Sequence, residues 1–290
     1  MIDMRYEAPT TLAAAVSLLA EAKGQARVLA GGTDLLIQMR AGRIEPRMVV
    51  DVKRIAEMTA ITPENGGFRV GAAVSAMQLM EHEAFRTAWP GVTEAAYLIG
   101  STQIKGRATM GGNLCNASPA ADSVPALIAA GAIATIIGPE GKREARVEDI
   151  PTGPGKTSLA NGEFVTSFLL PPRPPRSGDA YLRFIPRTEM DIAVVGAGIS
   201  LTLDEKGMCS HARVSLGAVA ERALLVSDAA TALIGTKVDA SALQRMASAC
   251  SAACRPIDDK RGTKEYRIKV AGVMARRAAE IALGRARGDH

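Results

Sequence analysis

The chemistry this chain can offer is concentrated in glycine-rich stretches rather than in acid, base or nucleophile sets. Thr109-Met110-Gly111-Gly112-Asn113-Leu114-Cys115-Asn116-Ala117-Ser118-Pro119-Ala120-Ala121-Asp122 opens with a Gly-Gly pair, continues mostly through small residues and ends on a carboxylate. Paired glycines allow positive φ and leave no Cβ in the way of a closely packed ligand. Successive N–H groups in such a turn form a concave site for phosphate oxygens. Ala30-Gly31-Gly32-Thr33-Asp34-Leu35-Leu36 has the same design well upstream. Either pair alone also reads as an ordinary tight turn. Two of them, each followed by a polar residue, predict a diphosphate gripped from both sides by main-chain amides of two bends. Each charge-assisted hydrogen bond of that kind contributes ~1.5–3 kcal/mol.

Asp122 suits a ribose diol, because an ionised carboxylate only accepts hydrogen bonds. It equally suits the N-cap of a helix beginning near Val124, and the two roles are compatible. Neither glycine stretch reads G-x-G-x-x-G. The offset of Asp51 from the first stretch, which a Rossmann ribose ligand would also show, therefore carries no weight, and Asp51 is expected to be a solvated strand end. No G-x-S-x-G, H-E-x-x-H or Cys–His arrangement is present. Arg187, Glu189 and Asp191 share one connection and read as solvated or locally paired charges. The four cysteines form no C-x-x-C and no zinc-ligand spacing. Cys250 and Cys254 read as small core residues on one helix face, and His82, His211 and His290 add no cluster, so no metal site is expected. Redox work by such a chain would draw its reactivity from a bound cofactor.

The elements that must position these stretches follow from periodicity. Leu12, Val16 and Leu19 after Thr10-Thr11 predict an amphipathic helix over 11–23. A strand over 27–30 leads into the first glycine pair, and Thr33 or Asp34 caps a helix over 35–39, so turn and helix amides converge on one point. A buried strand over 48–52 completes a small α/β lobe. Asn65-Gly66-Gly67 marks a hairpin. Ser75 starts a helix carrying Met77 and Met80, another begins at Gly91, and 124–130 is helical with Pro125 in its first turn. Strands follow over 132–137 and 163–170. Pro171-Pro172-Arg173-Pro174-Pro175 is the clearest boundary, since prolines cannot sit inside a sheet. Beyond it, 180–185, 193–203 and 211–218 read as three antiparallel strands, with helices near 223–234, 240–253 and 264–283, an α+β arrangement.

The totals fit this picture. A chain of 290 residues with 47% apolar and 22% charged residues can bury a sizeable core. Aromatics are only 3%, so rings for stacking on bases are scarce, and the net charge of +5 is scattered. The densest basic groups, Lys260-Arg261, Arg276-Arg277, Arg285 and Arg287, read as a solvated helix face or a partner contact rather than a nucleic-acid site. Neither a signal peptide nor a run of membrane-spanning length is visible, which predicts a reduced, cytoplasmic setting.

The wording of certain stretches resembles the FAD-binding medium subunit of the molybdenum hydroxylases, the xanthine dehydrogenase / carbon monoxide dehydrogenase family. The likeness is carried by Leu29-Ala30-Gly31-Gly32-Thr33-Asp34-Leu35-Leu36 and by Gln103-Ile104 through Ala108-Thr109-Met110-Gly111-Gly112-Asn113 to Ser118-Pro119-Ala120-Ala121-Asp122. Arg187 with Asp191-Ile192-Ala193, Arg213-Val214-Ser215-Leu216-Gly217-Ala218-Val219 and Tyr266-Arg267 extend it along nearly the whole chain.

The resemblance implies a two-lobed FAD-binding fold of the vanillyl-alcohol-oxidase/PCMH type over residues 1–175, with lobes of about 1–58 and 59–175. A CO dehydrogenase flavoprotein C-terminal-like α+β domain, a three-stranded antiparallel sheet with helices, would occupy 176–290. It implies that Ala30, Gly31, Gly32, Thr33, Asp34 and Leu35 clasp the pyrophosphate with the stretch from Thr109 through Gly111 and Gly112 to Asn113, and that Leu29 also belongs to the cofactor site. Ile104, Ala108, Ser118, Ala121 and Asp122 would line the adenosine half. Arg183 stands where a lysine near the isoalloxazine is usual, keeping the charge with a different hydrogen-bond geometry. Cys115 would be packing beside the flavin loop.

By the same likeness the FAD is non-covalent and this chain has no catalytic side chain of its own. A small iron–sulfur subunit holds two [2Fe–2S] clusters, a large subunit holds the molybdenum cofactor, and the flavin delivers electrons to NAD, a quinone or oxygen, in a dimer of heterotrimers. The rival readings are a stand-alone FAD-dependent NADPH reductase of the same fold and a scaffold subunit without cofactor.

Overall fold

The computed structural model describes residues 4–187 and 190–289; Glu189, His290 and residues 1–3 lie outside the described residues. The chain begins with β1 (Arg5–Glu7), α1 (Leu12–Glu21), β2 (Ala26–Leu29), α2 (Leu35–Arg40) and β3 (Met48–Asp51). The three strands form a parallel sheet in the order β1-β3-β2, with Leu29 opposite Asp51. All four residues of β3 are buried, as expected for the middle strand of a covered parallel sheet. Thr11 caps α1 by accepting from Ala14 N. Asp34 occupies the N-cap position of α2 without a capping hydrogen bond, contrary to expectation.

The next elements are β4 (Ile61–Glu64), β5 (Gly67–Gly71), α3 (Ala76–Glu81), α4 (Glu83–Ala88), α5 (Pro90–Tyr97), α6 (Thr102–Lys105), α7 (Met110–Cys115) and α8 (Ser123–Ala129). After them come β6 (Ile133–Gly138), β7 (Gly141–Arg146), β8 (Pro151–Gly153), β9 (Lys156–Thr157) and β10 (Phe164–Leu170). Five of these strands make an antiparallel sheet in the order β4-β5-β10-β6-β7. Asn65 and Gly66 both take positive φ, the backbone a two-residue hairpin between β4 and β5 demands. Ser75 caps α3 in a full capping box with Gln78.

Residues 171–176 lead to β11 (Ser177–Phe184), β12 (Val195–Leu203), β13 (Cys209–Gly217), β14 (Leu224–Leu225), α9 (Ser227–Leu233), α10 (Ala240–Ala253) and α11 (Lys264–Arg287). The expected three strands are present, and the short β14 extends the sheet to four in the order β11-β12-β13-β14. Strand β14 occupies the beginning of what the sequence offered as a helix over 223–234. One face of this sheet carries α11, and α5 and α8 pack on the other. Gly198 permits the second contact, because a Cβ there would lie 2.6 Å from Pro125 O. Helix α8 is buried along its whole length for the same reason.

Charged groups pin this packing. Asp179, only 4% exposed, takes hydrogen bonds from Arg173 and from Gly91 N, each at 2.8 Å. Arg285 donates to Asp179 O at 2.7 Å and pairs with Glu94 on α5. Arg285 is therefore a strut, not part of a solvated face.

Candidate functional site

Two glycine stretches far apart in sequence line one cleft of about 590 Å³. Ala30, Gly31, Gly32, Thr33, Asp34 and Leu35 form one wall, Ala108, Thr109, Gly111, Gly112 and Asn113 another, and residues 159–165 a third. The two stretches touch: a Cβ on Gly31 would lie 2.1 Å from Arg107 O. Gly31 is thus required by backbone-to-backbone packing. Gly32 is required by its φ of +79°, in the left-handed region that suits glycine. Gln38 Nε2 reaches across to Asn116 Oδ1 at 2.8 Å, joining α2 to the end of α7.

The second stretch corrects the expectation of two equivalent bends. Gly111 and Gly112 lie in the first turn of α7, capped by Thr109, whose Oγ1 accepts from Gly112 N at 2.9 Å. Gly111 N donates to Ala72 O at 3.2 Å and Asn113 N to Thr109 O at 2.9 Å. Gly111 packs there because a Cβ would lie 2.4 Å from Ala72 O. Those three amides are already satisfied inside the protein. In the first loop, by contrast, no backbone carbonyl among the described residues accepts from Gly31, Gly32, Thr33 or Asp34. Buried or half-buried amides need partners, so the donors available to an anion include those of residues 31–34.

Asp34 also lines this cleft, and burial raises its carboxyl above the ordinary range. Cys115 is exposed to the cleft rather than packed away, while the surrounding protein pushes its thiol up to about 12. Asn113 Oδ1 accepts from Ser123 N at 3.0 Å and from Ser123 Oγ at 2.7 Å, tying α7 to α8.

Six of the sequence-predicted residues stand away from these walls: Leu29, Ile104, Ser118, Ala121, Asp122 and Arg183. Leu29 ends β2, and Ile104 sits in α6 against Gly100. Ser118 Oγ accepts from Ala120 N at 3.3 Å, and Ala121 is buried.

Asp122 and Arg183 form their own cluster. Arg183 Nη1 donates to Asp122 Oδ2 at 2.9 Å, and Tyr181 OH donates to Asp122 Oδ1 at 3.3 Å. Asp122 makes no capping bond to α8. Burial pushes its carboxyl up to about 6, with the Arg183 guanidinium opposing the rise. Opposite ends of an extended cofactor cannot lie against two side chains in direct hydrogen-bond contact. Asp122, expected at the adenosine half, and Arg183, expected at the ring, therefore stand at one place in the fold rather than at two separate ones.

Sequence reasoning missed Gln38, Asn116 and residues 159–165 as walls, none of which carries a local motif. Asp51 was also misjudged. It is 7% exposed, accepts from Tyr6 OH at 2.6 Å and pairs with Lys53 at 2.7 Å, which holds its carboxyl below the usual range despite burial. In the connection that also holds Glu189, Asp191 pairs locally with Arg187 at 3.1 Å and, across the fold, with Arg261 at 2.9 Å.

A cleft with uncommitted main-chain donors, set between a parallel-sheet lobe and an antiparallel sheet and followed by a sheet-and-helix unit, defines an α+β dinucleotide-binding protein. Residues 2–173 match the family described as the FAD binding domain in molybdopterin dehydrogenase, and residues 180–282 match the CO dehydrogenase flavoprotein C-terminal domain. The chain belongs to this family of FAD-binding subunits of molybdenum-containing dehydrogenases. It is 34% identical over 282 residues to the carbon monoxide dehydrogenase medium chain of Afipia carboxidovorans, covering 97% of each chain. It is 32% identical over 285 residues to the xanthine dehydrogenase FAD-binding subunit of Escherichia coli O157:H7, covering 98% of this chain and 97% of the relative. The solved structure of reconstituted CO dehydrogenase from Oligotropha carboxidovorans matches with a TM-score of 0.93 at 33% identity, over 97% of this chain and 98% of that one. FAD is the cofactor, and the open amides of residues 31–34 fit its diphosphate. Among the described residues, no helix is long and apolar enough to cross a membrane.

Proposed function

We propose that this chain holds FAD non-covalently in the cleft and passes electrons from the [2Fe–2S] clusters of a small partner subunit to NAD, a quinone or oxygen. The observation that carries this reading is the run of open amides at Gly31, Gly32, Thr33 and Asp34, all lining one cleft. They bind and orient the diphosphate, and the close seating of Gly31 on Arg107 keeps their wall rigid. Asp34, on the same wall, would accept a hydrogen bond from a hydroxyl of the sugar chain. The bound flavin supplies the exchange between one-electron input and two-electron output. No side chain of this subunit acts on the substrate.

Oxidation of the substrate belongs to a large molybdenum-holding partner, in a dimer of heterotrimers in the cytoplasm. The division of the chain falls near residue 175, supported by the segment between β10 and β11. Arg183 and Asp122 serve one end of the cofactor together.

Purification of the chain with its neighbours tests this. The expected result is a yellow protein that releases FAD on acid treatment and co-purifies with iron–sulfur and molybdenum chains. Steady-state NADPH turnover by the chain alone would support the stand-alone reductase instead. A colourless chain, even after incubation with excess FAD, would leave the scaffold reading.

A further inference from the structure

Lys53 lies just after β3, behind the first loop and outside the cleft it frames. Its Nζ donates to Ala30 O at 3.0 Å and to Asp51 Oδ1 at 2.7 Å. Asp51 is fixed in turn, because Oδ1 also accepts from Lys53 N at 3.0 Å and Oδ2 accepts from Tyr6 OH at 2.6 Å. The parallel register sets Leu29 opposite Asp51, so this group sits where β2 gives way to the glycine loop. Three strands thus contribute to one relay: Tyr6 from β1, Asp51 from β3, and the carbonyl one residue beyond β2.

In a trans peptide the carbonyl and the following N–H point in opposite directions. Ala30 O is drawn toward an ammonium that is not a cleft wall, so the N–H of Gly31, a residue that lines the cleft, points away from Lys53. The same bond withdraws the negative end of the Ala30–Gly31 dipole from the anion and leaves a positive charge one peptide behind it. A charge held by a buried carboxylate does this with little reorganisation when the ligand arrives.

We propose that Lys53, oriented by Asp51 and Tyr6, is a positioning residue that presets the Ala30–Gly31 peptide for the diphosphate of the cofactor. This rests on the reading that residues 31–34 receive the diphosphate. A purely structural role, satisfying a carbonyl and a carboxylate, is the bland alternative, and it makes a different prediction. It ties any loss of affinity to a loss of stability, whereas positioning weakens diphosphate binding in a protein that melts normally.

The test uses the full chain stripped of FAD, titrated with FAD by fluorescence quenching and with ADP as a competitor, alongside the melting temperature of the stripped protein. Lys53→Met is expected to weaken FAD and ADP together by about tenfold to a hundredfold, the value of one charge-assisted hydrogen bond. Lys53→Arg restores most of that affinity, because it keeps charge and donors. Tyr6→Phe, which only loosens Asp51, weakens both ligands by a few-fold. Should Lys53→Met fail to fold, the Arg and Phe variants decide: wild-type affinity in Tyr6→Phe together with full loss in Lys53→Arg overturns the proposal. Unchanged affinity in a folded Lys53→Met also overturns it. ADP failing to compete with FAD in the unaltered protein would instead defeat the underlying placement of the diphosphate.

Discussion

Asp122 Oδ2 and Arg183 Nη1, 61 positions apart in sequence, meet at 2.9 Å with the arginine side chain only 4% exposed. Tyr181 OH completes the cluster, and Arg183 Nε is buried without a partner. An unpartnered donor beside a buried ion pair at the seam between α8 and β11 is a place where an acceptor on a cofactor gains more than it would in water.

The pair also sets a pH dependence. Burial raises the Asp122 carboxyl from 3.8 to about 6. Between those values the folded chain keeps a proton that the unfolded chain has released. Its contribution to stability is therefore greatest below the unfolded value and falls as pH rises through the folded one, by at most ~3 kcal/mol. Asp122→Asn lacks that slope, although it leaves Arg183 without its counter-ion at every pH. Urea unfolding at pH 4.5 and pH 7 should show the variant gaining on the parent as pH rises. Parallel stability curves would mean that Asp122 titrates normally.

The glycines of the two stretches should fail in different ways. Gly32→Ala places a side chain at φ +79° and a Cβ 2.8 Å from Leu29 Cδ1, in a loop that lines the cleft. The left-handed conformation alone costs ~1–2 kcal/mol for an L-residue. Loss of FAD affinity, from a displaced loop, should exceed the loss in melting temperature. Gly111→Ala drives a Cβ to 2.4 Å from Ala72 O and should unseat α7, lowering the melting temperature first. Equal profiles in the two variants would show that the stretches are equivalent after all.

That contrast marks what the sequence disclosed. Spacing and composition located both cleft walls, because glycine pairs beside capping residues are local signals. Nothing local told a bend from the first turn of a helix, although Thr109 three residues before Gly112 is a capping arrangement. The edge strand β7 escaped notice because Lys142, Arg143 and Glu144 carry no apolar alternation; charge is how an exposed sheet edge avoids unwanted pairing. Asp122 with Arg183, Asp51 with Tyr6, and Arg285 with Glu94 are pairings made by topology, and no window along the chain contains both partners.

Arg267 in α11 is such a long-range tie and a test of the C-terminal sheet. It is 3% exposed and donates to Val194 O at 2.8 Å, Ala218 O at 3.2 Å and Asp259 at 2.8 Å. Arg267→Met keeps the volume but takes the donor from two carbonyls, while the exposed Asp259 keeps Arg261 N as a partner; an unsatisfied buried acceptor costs ~1–3 kcal/mol. Chemical denaturation should register that loss, and Arg267→Lys should recover only part of it because one ammonium cannot span all three acceptors. A loss under ~1 kcal/mol, the range of exposed pairs, would mean that water replaces the guanidinium there.

The place of the flavin can be read without relying on activity. Of the four cysteines only Cys115 is exposed, on the wall of the cleft; Cys209, Cys250 and Cys254 are buried. Alkylation of the FAD-stripped chain should therefore mark one residue. The thiolate is the reactive form, so the reaction should quicken as the solution is made alkaline. Saturating FAD should suppress it, since a dinucleotide seated on residues 31–34 fills the space that the reagent must cross. Peptide mass spectrometry reads both the site and the rate. If Cys115 reacts equally fast with and without FAD, the cofactor does not occupy this wall, and the assignment of the cleft falls while the family relationship stands.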